Sequence, residues 1–178
     1  MNRTAIIIAT ALSMLTFSSC VKSKLEQTYN NQESKIDSYI TNKGEEYRSV
    51  RNGGANRLIL KEGEGEELQE NGYVSFYYAG YTFNGSFSSS NLFVTNRQET
   101  AEQAGWNLTD ADYQIYEINL GDARLIPGLK DGLLGVKAGE ECEILFSGKY
   151  GFGNEEFGII PANSALLYKI WVVGVAND

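Results

Sequence analysis

The hydrophobic positions of this chain mostly alternate with polar ones over short runs, the rhythm of strands packed on one face, and one stretch breaks it. In Leu125-Ile126-Pro127-Gly128-Leu129-Lys130-Asp131-Gly132-Leu133-Leu134-Gly135-Val136, the apolar residues Leu129, Leu133 and Val136 recur at helical spacing. Pro127 fits the first helical position, where its missing N–H is not needed and its fixed φ is already helical. Gly135 is placed to close the helix in a left-handed cap. The stretch predicts a short helix with one apolar side, entered by a sharp corner at Leu125-Ile126. A helix this short is unstable alone in water, so it must be covered. Tyr116–Leu120 before it and Cys142–Phe146 after it both read as strands. The expected arrangement is a sheet wrapping this helix, with a pocket at the Ile126 corner.

The remaining pattern supplies that sheet. Arg57–Leu60 reads as a short strand, and Arg51–Asn56 before it as a turn cluster at a domain boundary. Lys61–Glu67 is a glycine-rich turn whose glutamates would repel a phosphate, so it reads as a solvated turn. Tyr73–Phe83 is dense in aromatic and β-branched residues and predicts a long strand. Asn84-Gly85 is a hairpin signal, with Leu92-Phe93-Val94 as the return. Thr95 and Gln98 have capping-box spacing, which predicts a surface helix over Glu99–Gly105 and then a loop over Trp106–Gln114. Cys142–Ser147 is a strand, and Lys149–Phe157 is a glycine- and aromatic-rich loop. In the last strand, Ala165–Val175, Leu166, Tyr168, Ile170 and Val172 share one face; Leu167, Lys169, Trp171 and Val173 share the other. Short strands around one helix define an α+β antiparallel architecture.

The N-terminus has a different logic. Arg3 precedes the apolar run Ala5–Phe17, which is too short to span a bilayer comfortably but suits a signal-peptide core. The run ends in Phe17-Ser18-Ser19-Cys20, which resembles a bacterial lipoprotein processing box, with Phe17 departing from the usual leucine. On that reading residues 1–19 are removed and Cys20 carries lipid; acyl chains contribute about 0.8 kcal/mol per buried methylene, so several anchor stably. Val21–Asn31 is polar and aperiodic, as in a flexible tether. Ile36, Tyr39 and Ile40 then mark a short amphipathic helix within Gln32–Asn42. Three segments follow: 1–19 signal peptide, 20–56 lipidated tether with a short helix, and 57–178 the folded domain with an insertion near 95–115.

Composition narrows the chemistry. The net charge is −8 with no basic cluster, which argues against a nucleic-acid partner. There is no histidine, so no His base and no His-ligated metal can operate. The two cysteines cannot build a thiolate metal cluster, and with Cys20 acylated Cys142 reads as a buried free thiol. No cofactor is expected.

Four pieces in order resemble the FKBP-type peptidyl-prolyl isomerase family: Tyr77-Tyr78-Ala79-Gly80; Leu120-Gly121 with Leu125-Ile126-Pro127-Gly128-Leu129; Lys149-Tyr150-Gly151-Phe152-Gly153; and Gly158-Ile159-Ile160-Pro161-Ala162-Asn163-Ser164-Ala165-Leu166-Leu167-Tyr168. The resemblance covers about residues 57–176 and implies an FKBP-like half-barrel sheet wrapped around one short helix. The lipoprotein leader, tether and insertion look like envelope members from Bacteroidetes-type bacteria. The implied pocket consists of Tyr78, Tyr116, Leu125, Ile126 (whose N–H holds a ligand carbonyl), Leu129 at a floor usually made by tryptophan, Phe152 in place of a hydroxyl-bearing tyrosine, the flap residues Ile159 and Ile160, and Tyr168. A further phenylalanine is Phe93 by the strand–hairpin–strand reading or Phe87 by distance from Gly80. Either way the aspartate that follows it in the family is absent.

The resemblance implies a peptidyl-prolyl cis-trans isomerase assisting the folding of exported proteins, with proline-containing polypeptides as partners. It would be lipid-anchored through Cys20 on the periplasmic side of the envelope, with the outer membrane the favoured site. The departures at Leu129 and Phe152 imply a weakened rate and poor affinity for the family's macrolide inhibitors. The alternatives are an FKBP-like polypeptide-binding module, or an envelope lipoprotein, without useful catalysis. The outer face around Trp171 is expected to cover either the tether helix or a partner.

Overall fold

The structure, a computed structural model, describes the backbone of residues 3–177 and the side chains of residues 22–177. The Cys20 thiol and the side chains of the leader lie outside those residues. The chain begins with α1 (Arg3–Lys43). Then come β1 (Arg48–Asn52), β2 (Ala55–Lys61), β3 (Tyr73–Phe83), β4 (Leu92–Thr95), α2 (Gln98–Gln103), β5 (Tyr116–Asn119), α3 (Pro127–Leu133), β6 (Glu141–Phe146) and β7 (Ala165–Ala176). The strands form one antiparallel sheet in the order β1-β2-β6-β7-β3-β4, with β5 also paired to β3.

α3 lies in the concave side of this sheet. Pro127 occupies its first turn, Leu129, Leu133 and Val136 are buried, and Gly135 follows the helix at φ 80°. The helix approaches β6 closely because Gly128 and Gly132 have no side chains: a Cβ on Gly128 would overlap the Phe146 ring, and one on Gly132 would overlap Ile144. Arg57 of β2, itself buried, holds the other end. Its guanidinium donates to the carbonyls of Gly132, Leu134 and Gly135 and lies 3.3 Å from Glu140. A cation thus meets the negative end of the helix, where free carbonyls collect.

The expected faces of β7 are observed. Leu166, Tyr168, Ile170 and Val172 join the core around α3, while Leu167 packs in a second core on the convex side, with Trp171 against it. That second core is closed by α1, through Ile36, Tyr39 and Ile40. At its centre Glu143 of β6 is buried, accepting from the Tyr39 hydroxyl at 2.8 Å and from Lys43 Nζ at 3.3 Å; Lys169 Nζ lies 3.6 Å away.

Three local expectations are corrected. Val21–Asn31 is helix rather than flexible tether, because α1 runs for 41 residues with no glycine or proline to break it. No helix among the described residues is long and apolar enough to cross a membrane. The cluster Arg51–Asn56 is not a boundary: Asn52 and Ala55 face each other across a hairpin joining β1 to β2. β1 is a polar edge strand, which hydrophobic alternation cannot reveal. Finally, Thr95 does not cap α2. Arg97 is the N-cap residue, and the Thr95 hydroxyl donates to the Tyr78 carbonyl while accepting from Arg97 N–H. A capping box is formed instead at Thr109–Asp112, within the expected loop.

Candidate active site

Between α3 and the strands that curl around it is an open cavity of about 500 Å³, within the size range of small-ligand sites. Each wall comes from a different element. β3 contributes Phe76 and Tyr78, two residues apart and so on one face. β4 contributes Phe93 and Val94, and β5 contributes Tyr116. The corner before α3 gives Leu125, α3 itself gives the floor residue Leu129, and β7 gives Tyr168. The excursion from β6 to β7 supplies Phe152, Phe157, Gly158, Ile159 and Ile160. Phe157 and Ile160 exchange backbone hydrogen bonds of 3.0 and 2.9 Å across a two-residue turn, in which Gly158 takes φ 58°. This holds Ile159 out at the tip, 76% exposed.

Rings meet edge to face along the inner wall. Phe76 and Tyr116 are 5.6 Å apart, Tyr78 and Tyr116 5.9 Å, and Phe93 and Tyr168 5.8 Å between centroids. At the mouth Phe152 and Phe157 stack at 4.6 Å with 6° between planes. Gly80 makes room for this: a Cβ there would press on both the Phe93 and Tyr168 rings. Burial pushes the Tyr78 phenol above its usual range, helped by Tyr116. Burial pushes Tyr168 up further, with Tyr78 adding to it. Both therefore stay neutral near pH 7, and no lining residue is a carboxylate, amine or imidazole.

Nine of the ten residues expected at the site line this cavity. Ile126 stands in the corner beside it, as the N-cap residue of α3 with φ −61° and ψ 142°. Its side chain packs on the inner core, its carbonyl accepts from Leu129 and Lys130 N–H, and its own N–H has no acceptor among the described residues. The choice between two phenylalanines is resolved. Phe93 lines the cavity, whereas Phe87 is on the convex face, 5.0 Å from the Tyr81 ring with Lys169 Nζ 3.9 Å above it. Where an aspartate was lacking, Val94 lines the wall. Phe76, Val94, Phe157 and Gly158 were not anticipated. The period-two spacing from Tyr78 could have found Phe76; nothing local marks the other three. Cys142 is buried, and burial, with Glu140 next, pushes its thiol well up, as suits a packing residue.

A half-barrel sheet with a helix in its hollow and a neutral aromatic cup between them is the architecture expected above. The profile of the FKBP-type peptidyl-prolyl cis-trans isomerases matches residues 64–173, and the chain belongs to that family of enzymes. It is 24% identical to FK506-binding protein 1 of Aspergillus oryzae over 117 residues, 66% of this chain and 94% of that protein. It is 28% identical over 120 residues to the FKBP-type peptidyl-prolyl cis-trans isomerase FkpA of Buchnera aphidicola, 67% of this chain but 42% of that protein. Among solved structures, a peptidyl-prolyl cis-trans isomerase from Pseudomonas syringae pv. tomato superposes with a TM-score of 0.60 at 17% identity, covering 85% of this chain and 96% of its own. FkpA from Escherichia coli superposes with a TM-score of 0.55 at 18% identity, covering 99% and 74%. The last two likenesses are of fold.

Proposed function

We propose that this isomerase turns Xaa-Pro bonds in exported polypeptides while tethered to a membrane, with residues 1–19 removed and Cys20 acylated, on the periplasmic side of a cell envelope. The observation that carries the catalytic part is the neutral aromatic cup with the free Ile126 N–H at its corner. Rotation of a prolyl amide is slowed by resonance, with a barrier of ~18–20 kcal/mol. The twisted amide has less charge separation than either planar form and loses less on leaving water. A cup without charges therefore binds the twisted form better than the ground states, which is what lowers the barrier. Leu129 and Tyr168 receive the ring, Tyr78 and Tyr116 flank it, and Ile126 N–H holds the carbonyl that stays still. No nucleophile or proton donor is needed, consistent with a chain that has no histidine.

The anchor is supported by the order Arg3, apolar Ala5–Phe17, Ser18-Ser19, Cys20, and a Bacteroidetes-type lipoprotein is the form it fits. The tether segment that goes with it begins at Cys20 and gives way to the isomerase domain at β1, which is already part of the sheet. A prolyl-peptide assay tests the activity: an Ala-Leu-Pro-Phe peptide should relax faster with micromolar protein from Val21 onward, and no acceleration overturns the reading. The anchor has its own test. Full-length protein should fractionate with membranes and Cys20→Ser with the soluble fraction; equal partitioning removes the lipid from the account.

A further inference from the structure

The mouth of the cavity depends on one excursion of chain, residues 148–164, which carries Phe152, Phe157, Gly158, Ile159 and Ile160. Its own bonds are local. Gly151 and Gly153 N–H donate to Gly148 O at 3.2 and 2.9 Å, Glu155 N–H to Phe152 O at 3.3 Å, Asn163 N–H to Gly153 O at 2.6 Å and the Ser164 hydroxyl to Pro161 O at 2.7 Å, and Phe157 pairs with Ile160. The two feet, Gly148 and Asn163, touch so closely that a Cβ on Gly148 would overlap the Asn163 backbone. Asn163 is the only described residue other than glycine with positive φ, at 59°, a conformation that persists where surrounding contacts hold it.

Those contacts come from α1. The Gln32 side-chain amide spans both feet: Oε1 accepts from Gly148 N–H at 2.9 Å, and Nε2 donates to the Asn163 carbonyl at 2.6 Å. One turn earlier, the Tyr29 hydroxyl donates to Asn163 Oδ1 at 2.8 Å. Tyr29, Gln32, Ile36, Tyr39 and Ile40 follow helical spacing, so the face that seats α1 on the convex core continues into the clamp. A side-chain amide thus makes the rung that a neighbouring strand would otherwise make.

We propose that Gln32 and Tyr29 are positioning residues for the prolyl site: docked α1 holds the flap in place, and so sets how tightly substrate is gripped. This rests on the isomerase reading above. Few of the flap's backbone bonds reach the sheet, so unclamped it belongs to the part of the molecule that opens most easily. Substrate then has to order the wall as it binds, which weakens binding. Rotation takes place over Leu129 and the Ile126 corner, on other elements, so turnover of bound substrate changes less. Coupling of this kind is reciprocal, so a substrate in the cup also steadies the docked helix.

The test uses the full chain with Tyr29→Phe, Gln32→Glu, Gln32→Ala and the Tyr29→Phe/Gln32→Ala double variant, in the same peptide assay and in amide hydrogen exchange. KM should rise about two- to tenfold for each bond lost, in the order Y29F, Q32A or Q32E, double variant, with kcat within about twofold. Q32E keeps an acceptor for Gly148 N–H, loses the donor and turns a carboxylate oxygen toward the Asn163 carbonyl. Exchange should accelerate at Gly148 and Asn163 while the amides of β3 and β7 keep their protection. Unchanged KM in variants of an active protein overturns the inference, as does a uniform fall in kcat and melting temperature, which would mark plain scaffolding. A wild-type chain with no activity sinks the isomerase reading instead. The clamp then stands or falls on whether Q32A speeds exchange at Gly148.

Discussion

Phe152 shows how a single atom sets the strength of the site. Its ring lies flat on Phe157 and brings no hydroxyl to the cavity. Replacing it by tyrosine adds one donor at the mouth without changing the stack. The expected gain in kcat/KM for Phe152→Tyr is about two- to tenfold, the range of one neutral hydrogen bond, with unfolding by urea unchanged. A variant no faster than wild type would show that the carbonyl of the substrate does not reach this wall. The same absence of polar groups has a consequence for pH. Burial raises the phenols of Tyr78 and Tyr168, so neither changes charge near neutrality, and no lining residue is a carboxylate, amine or imidazole. The profile of kcat/KM should therefore be flat from about pH 6 to 9. A decline of tenfold inside that window would reveal a titrating group in the substrate's path.

At the scale of the element, α3 reverses a rule of helix propensity. Gly132 lies in the last turn of the helix, where alanine is ordinarily better by up to about 1 kcal/mol. Here its bare Cα lies against Ile144, and a methyl has no room. Gly132→Ala should destabilise by about 1–3 kcal/mol through overpacking, read as a lower urea midpoint at constant slope. A stabilised variant would mean that β6 yields more easily than its place in the core suggests. This helix also marks the limit of what the sequence discloses. Pro127, Leu129, Leu133, Val136 and Gly135 could be read because capping and periodicity are local. The roles of Gly128 and Gly132 could not, since an absent side chain has meaning only beside the Phe146 and Ile144 it admits. Arg57 was invisible for the same reason: it reaches the end of α3 from a strand distant in sequence. Within the site, the family's motif residues were found by order, whereas Val94 and Phe157 enter only once the hairpin and flap are folded. β1 and the helical course of Val21–Asn31 were missed because one is polar but for Val50 and the other shows no apolar stripe.

For the whole molecule the question is what keeps α1 on the sheet, since both the convex core and the flap depend on it. Apolar burial of Ile36, Tyr39 and Ile40 supplies the non-specific part. Glu143 supplies the register. It is buried in the middle of β6 and meets Tyr39 Oη, Lys43 Nζ and Lys169 Nζ, two of which belong to α1. Burial first, and the Glu143 charge second, hold the Tyr39 phenol well above its ordinary range, so it remains a donor. The folded pKa is raised, so this contribution is complete below about pH 10, the phenol's unfolded range, and falls as pH climbs beyond it. Tyr39→Phe deletes the bond while keeping the ring against Phe83, and should loosen α1 by about 1.5–3 kcal/mol, the range for a hydrogen bond to a charged group. Hydrogen exchange is the measurement, because it separates the helix from the sheet. Amides of Gln32–Thr41 should exchange faster in Y39F while those of β3 and β7 hold. Salt should have little effect on the same amides even at about 0.5 M, since screening acts on exposed charges and the Tyr39–Glu143 bond is buried. If salt undocks the helix as well as Y39F does, the tie is the exposed Asp37–Arg51 pair rather than Glu143. The flap clamp would then be as salt-sensitive as the surface of the protein.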